Sequence, residues 1–191
     1  MAILSDSDLE RIVSEALVNP QAYQELRWLS DNVGGRVAGS KSAREGEEWG
    51  KRAFEKFGLS KIWFQEFPLR IWERGTLSVN ATAPSSFSVL AVSHANTPDQ
   101  ASVEAIVVDV EHGEETGFQK AGDAVKGAIA LCDEDVTPGK RALHRMEKLA
   151  LAEKHGAKGL MILSSAAGGL CRTGVCAEKG TQLPSMGISK E

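Results

Sequence analysis

The chain has no apolar run approaching the ~20 residues that a membrane-spanning helix needs. Its first residues, MAILSDSDLE, hold no basic stretch followed by an apolar one, so no secretory signal is legible; the default reading is a cytoplasmic start, with the true compartment left open. Lys and Arg, 22 together, are scattered among 26 acids for a net charge of −4, which excludes a nucleic-acid footprint. Three cysteines, Cys132, Cys171 and Cys176, are too few and too odd in number for a disulfide framework. Cys132 lies in an apolar run and reads as a small core side chain. Cys171 and Cys176 sit in a Gly-rich loop, where a loop disulfide or half of a metal site stays open; no second ligand pair at zinc-finger spacing follows. H-E-x-x-H and G-x-S-x-G are absent. Two glycine clusters fail as phosphate loops. No strand precedes Gly34-Gly35, and around Gly139-Lys140 a glutamate, Glu134, stands where the first P-loop glycine belongs and Arg141 where Ser or Thr belongs.

What is present is ordinary globular composition, 42% hydrophobic and 25% charged, enough for one domain or one and a part. Ala124 to Ser165 carries the clearest pattern. Ala128-Ile129-Ala130-Leu131-Cys132 is short and apolar, as a buried strand is. From Lys140, with Pro138 in the first turn, Ala142, Leu143, Met146, Leu149 and Ala150 follow helical spacing to a stop at Gly156. Gly159 to Leu163 is a second apolar strand, which makes the stretch a parallel βαβ unit. Upstream, an amphipathic helix runs from Ser5 to Val18, with Leu9, Ile12, Val13, Ala16 and Leu17 on one stripe and Ser5 or Ser7 as its cap. A second helix spans Pro20 to Ser30, and a third spans Ser42 to Phe57 and stops at Gly58. Lys61 to Phe67 alternates as a strand does. After Gly75 strand-like runs dominate: Thr76–Asn80, Phe87–Val92, Val103–Asp109 and, at the end, Leu183–Ile188. A boundary near Gly75 divides an incomplete helical segment, residues 1–75, from a second part, residues 76–191, that reads as complete.

The order of these pieces resembles a known family. Gly35-Arg36-Val37-Ala38-Gly39-Ser40 after two helices is similar to the G-x-R-x-x-G-S segment near the start of M28-family zinc peptidases, in particular the carboxypeptidase Q branch, and Trp72-Glu73-Arg74-Gly75 fits that branch at the same place. From Thr76 onward the chain resembles a protease-associated (PA) domain, carried by Asp123 to Leu131, by the A-x-x-x-G-A-K-G-L-M-I pattern within Lys148 to Leu163, and by Leu183 to Ser189. The resemblance implies an α/β fold: helices plus the first strand of an incomplete peptidase domain, then a swivelling β/β/α PA domain inserted into it. It also implies two zinc ions held by His, Asp and Glu, a Glu general base acting on a bridging water, a peptide substrate, a catalytic domain following in sequence, a possible homodimer, and frequent export.

The four histidines test whether that site lies here. The family's first ligand motif is H-x-D, and His94 fails it, since Ala95 and Asn96 follow. His112 lies in the polar loop Glu111 to Glu115 and reads as solvated. His144 and His155 fall on the crossover helix, the first at the edge of its apolar stripe and the second near its C-terminus, where a protonated imidazole is favoured. Asp133-Glu134-Asp135 is a solvated turn in preference to a cation site. No catalytic, cofactor-binding or metal residue is therefore assigned, and no zinc is expected on this chain. The sequence reads as the N-terminal and PA portion of an M28-like exopeptidase, inactive alone. A stand-alone PA-type interaction module is the second reading.

Overall fold

The computed structural model describes residues 5–191. The chain divides into two compact units, Met1–Ile71 and Trp72–Glu191.

In the first unit, α1 (Asp6–Val18) begins at a capping box: Asp8 N–H donates to Ser5 Oγ, and the Ser5 N–H donates to Asp8 Oδ2. α2 spans Gln21–Asn32 and α3 spans Lys41–Lys56, where Ser40 Oγ accepts from the Ala43 N–H. Gly58, at φ 81°, supplies the left-handed stop after α3. None of the three helices buries a residue. Trp28 of α2 stacks on Trp49 of α3, but Leu17 is 76% exposed and Tyr23 71%, so much of the apolar stripes of α1 and α2 faces solvent among the described residues. The expected strand at Lys61–Phe67 does not form: the segment is irregular, and no backbone ladder reaches it. Alternation makes a strand only where a second strand supplies hydrogen bonds. Its Phe64 ring instead lies under the Arg44 guanidinium, 4.5 Å from the ring centroid. Gly39 is required twice over, by φ 84° and because a Cβ there would sit 2.1 Å from Ile71 Cγ2.

The second unit begins with a hairpin of β1 (Val79–Ala81) and β2 (Phe87–Val89). A five-stranded sheet follows, built from β3 (Ala91–Ser93), β4 (Val107–Asp109), β5 (Ile129–Cys132), β6 (Gly159–Leu163) and β7 (Ser185–Ile188), in the order β3-β7-β6-β5-β4. β4 to β7 are mutually parallel, and β3 is antiparallel to β7. α4 (Glu115–Ala121) and a 3-10 turn (Gly122–Val125) join β4 to β5, and α5 (Arg145–Lys154) joins β5 to β6. The expected parallel βαβ unit is therefore present.

Several expected boundaries move. Phe87–Val92 breaks at Leu90, whose carbonyl accepts from Ser189 N–H, and the chain passes there from the hairpin into the sheet. Of Val103–Asp109 only the last three residues pair, and of Thr76–Asn80 only Val79 and Asn80. The helix expected from Lys140 starts five residues later. Glu114 takes the Lys140 ammonium at 2.5 Å and the Thr137 N–H at 3.1 Å, and Glu147 accepts from the His144 N–H, so residues 137–144 are held as a loop. α4 has only seven residues, too few for a periodic signal, and no helix was expected there.

Registers sort the side chains. Val108, Ala130 and Leu160 stand in one row, and with Cys132 and Ile162 they meet Phe118, Val125, Leu149 and Ala152 from the helical side. The opposite face carries Met161, Met186 and Ile188, packed against Val79 and Val89 of the hairpin. Phe118 and Leu160 are fully buried. Truncating Phe118 to Ala is expected to cost about 3–5 kcal/mol, and Tyr23→Ala in the first unit less than about 0.5 kcal/mol. Urea denaturation followed by circular dichroism measures both.

Candidate functional site

His94 lies just after β3 and is 1% exposed. Its Nδ1 is 2.8 Å from Ser185 Oγ, and its ring also bonds to the backbone of Arg172. Ser185 N–H donates to Thr97 Oγ1, and the His94 N–H donates to the Ser185 carbonyl. A Ser–His contact is the core of many nucleophilic sites. Here both residues are about 1% exposed, so the pair is closed to solvent. The pair pins the end of β3 to β7. Burial, and the Arg145 and Arg74 cations nearby, push the His94 pKa down to about 4, so the imidazole is neutral.

The other histidines also hold structure together. His112, expected to be solvated, is paired: its Nδ1 is 2.7 Å from Asp133 Oδ1, and that hydrogen bond raises its pKa above the usual range. His144 is the N-cap of α5 rather than a residue on its stripe, its Nδ1 accepting from the Met146 N–H. His155 is the C-cap, stacked on Phe118 at 5.1 Å and 3.3 Å from Glu115. The acids expected to form a solvated turn have separate partners. Asp133 also accepts from the Asp135 N–H, while Glu134 accepts from Ser165 N–H and Oγ and faces Arg172 at 3.3 Å. Two buried charges escaped the sequence reading. Glu114 is held by Lys140 and the Thr137 amide, which lower its pKa to about 2, and Lys148 Nζ donates to the Asp133 carbonyl at 2.7 Å. Their long-range partners, and not the residue types around them, explain their burial, so no local pattern marks them.

All three cysteines are free, which removes the disulfide left open for Cys171 and Cys176. Cys171 Sγ points to the Leu90 carbonyl and Cys176 Sγ to the Ala95 carbonyl. Burial raises the Cys132 thiol to about 12 and the Cys176 thiol to about 11. Among the described residues no three His, Cys, Asp or Glu side chains gather as a metal site would require, so the residues described do not fit a zinc centre. No helix among them is long and apolar enough to cross a membrane.

The second unit does hold a cleft of about 870 Å³ on the hairpin face of the sheet. Ile129, Met161 and Met186 contribute to its lining, together with β1 and the irregular residues before β4.

Residues 89–191, which hold the sheet of four successive parallel strands and the two helices on one of its faces, match the PA domain. The chain belongs to the PA domain family. It is 27% identical to carboxypeptidase Q of Bos taurus over 150 residues, covering 76% of this chain and 31% of that protein. Among solved structures it shares its fold with the peptidase M28 precursor from Shewanella amazonensis (TM-score 0.72, 20% identity, 94% of this chain and 43% of the other). It also shares it with BSAP, a zinc aminopeptidase from Bacillus subtilis (TM-score 0.60, 21% identity, 90% of this chain and 39% of the other). The resemblance to the PA-containing part of M28 peptidases therefore holds. The chain spans about a third of the length of the curated relative.

Three outcomes follow from the histidines and cysteines of this PA domain. Unfolded His94 takes a proton near pH 6.5 and the folded residue only near 4, so folding stability falls as pH drops through that window, by up to roughly 3 kcal/mol. His112 has the opposite sign: its stabilising pair is complete below pH 6.5 and fades as pH rises past its raised pKa. Urea midpoints between pH 4 and 8, for the native chain and for His112→Gln, separate the two. With a thiol reagent under native conditions, Cys171 reacts first, while Cys132 and Cys176 react only on unfolding.

Proposed function

We propose that this chain is the N-terminal, PA-bearing portion of an M28-type, zinc-dependent exopeptidase acting on peptides. In this reading residues 1–75 open the catalytic domain, residues 76–191 are the PA insertion, and the zinc ligands and general base belong to a catalytic domain outside these residues. The observation that carries it is the order GGRVAGS, WERG and PA domain within a chain that aligns to about a third of a carboxypeptidase Q. The exposed Ile12, Val13 and Leu17 of α1 and Tyr23 and Leu26 of α2 support it, because helices of that pattern need a partner surface. The PA domain would shape access of the peptide to the catalytic centre or mediate contacts between subunits of a homodimer. Because the described residues do not fit a zinc centre, no catalytic step is derived on this chain.

The second reading, a stand-alone PA interaction module, draws on the second unit's own two-sided core. It requires a first unit that does not attract apolar dye.

Purified residues 1–191 are expected to retain only substoichiometric zinc by elemental analysis and to leave dipeptides intact, whereas a longer product of the same reading frame binds two zinc ions and cleaves them. Tight stoichiometric zinc on residues 1–191, or a reading frame with no H-x-D segment after codon 191, would overturn the peptidase reading. Strong dye binding by residues 1–191 would count against the module.

A further inference from the structure

We propose that the cleft on the hairpin face of the sheet binds an extended peptide that combines apolar and basic side chains. The inference concerns this chain alone and does not rest on the peptidase reading. Three features of the cleft converge on that ligand.

Its open lining is apolar. Leu77, Val103, Ile106 and Val107 line the cleft with exposed side chains, beside the half-buried Ile129 of β5. One wall offers free backbone. Residues 101–105 lead into β4, yet form no hydrogen bond among the described residues through main chain or side chains. β4 is an edge strand whose far side is unpaired. Ile129 N–H donates to the Ile106 carbonyl and Val110 N–H to that of Leu131, so in a parallel ladder the intervening Val107 turns its N–H and C=O away from β5. Unpaired donors and acceptors beside an apolar lining are what strand addition uses: main-chain bonds give affinity, and alternate side chains pack on the lining.

The charge of the cleft selects the peptide. Glu73, Asp99 and Glu104 line it, no Lys, Arg or His does, and none of these three carboxylates joins an ion pair among the described residues. A phosphate or an acidic peptide would meet uncompensated repulsion there. A second copy of the chain is disfavoured for the same reason, since a two-fold contact would set these acids against their own counterparts. A peptide with Lys or Arg flanking apolar residues satisfies both the apolar lining and the acids.

The test is fluorescence anisotropy on the full chain. The probe is a fluorescein-labelled Lys-Val-Lys-Val-Lys-Val peptide with blocked ends. Its comparators are the Glu-Val counterpart and a copy N-methylated on alternate amides. Saturable binding of the basic peptide is expected, weakened about tenfold or more in each comparator and in an Asp99→Lys/Glu104→Lys variant that melts as the native chain does. Glu55→Lys, on α3 outside the cleft, should leave binding unchanged. Absence of binding, or equal binding of basic and acidic peptides, overturns the proposal. So does binding that N-methylation spares and salt abolishes, which marks surface charge alone. Self-association strengthened by the double variant assigns the cleft to a second copy and also overturns it.

Discussion

The second unit depends on the requirement that parallel strands be covered on both faces. β4, β5, β6 and β7 lie side by side in chain order, and both α4 and α5 pack on the same face. Parallel ladders bury apolar residues on either side, so the other face needs separate cover. The β1–β2 hairpin provides it over Met186 and Ile188, and leaves the ground toward β5 and β4 open. The cleft is a consequence of this one-sided winding.

The same winding explains why the usual ligand position of an α/β sheet is closed. Ligands settle beyond the carboxyl ends of parallel strands where the strand order reverses. Here the order never reverses. The loops at those ends are tied to one another instead: His112 of the loop after β4 to Asp133 after β5, Glu114 to Lys140, and Glu134 to Ser165 after β6. A charge network of this kind has the residue types of an active centre and spends them on holding loops. The two units differ in the same respect. The second contains its own buried core, whereas the first exposes much of the apolar stripes on which its helices are patterned.

How much was legible follows from the range of each interaction. The Ser5 cap of α1, the Gly58 stop of α3 and the βαβ pattern from Ile129 to Leu163 depend on residues close in sequence, and all three were readable. Lys61–Phe67 misled because alternation records a tendency and not a partner. The start of α5 moved because Glu114, the N-cap of α4 in the loop after β4, captures Lys140. His94 could be rejected as an H-x-D ligand from its neighbours, yet its bond to Ser185 joins residues 91 positions apart and left no local mark.

The sequence by itself determined the helices of the first unit, the parallel unit at the centre of the second, and the PA and M28 likeness, because caps, glycine stops, periodicity and motif spacing act within a few residues. Only the tertiary structure decided which face each strand turns to the helices, that Cys171 and Cys176 stay free, which partners hold each acid and histidine, and that an acidic cleft with apolar lining opens beside β4. Those outcomes rest on contacts between residues distant in the chain, and their geometry exists only once the sheet has formed.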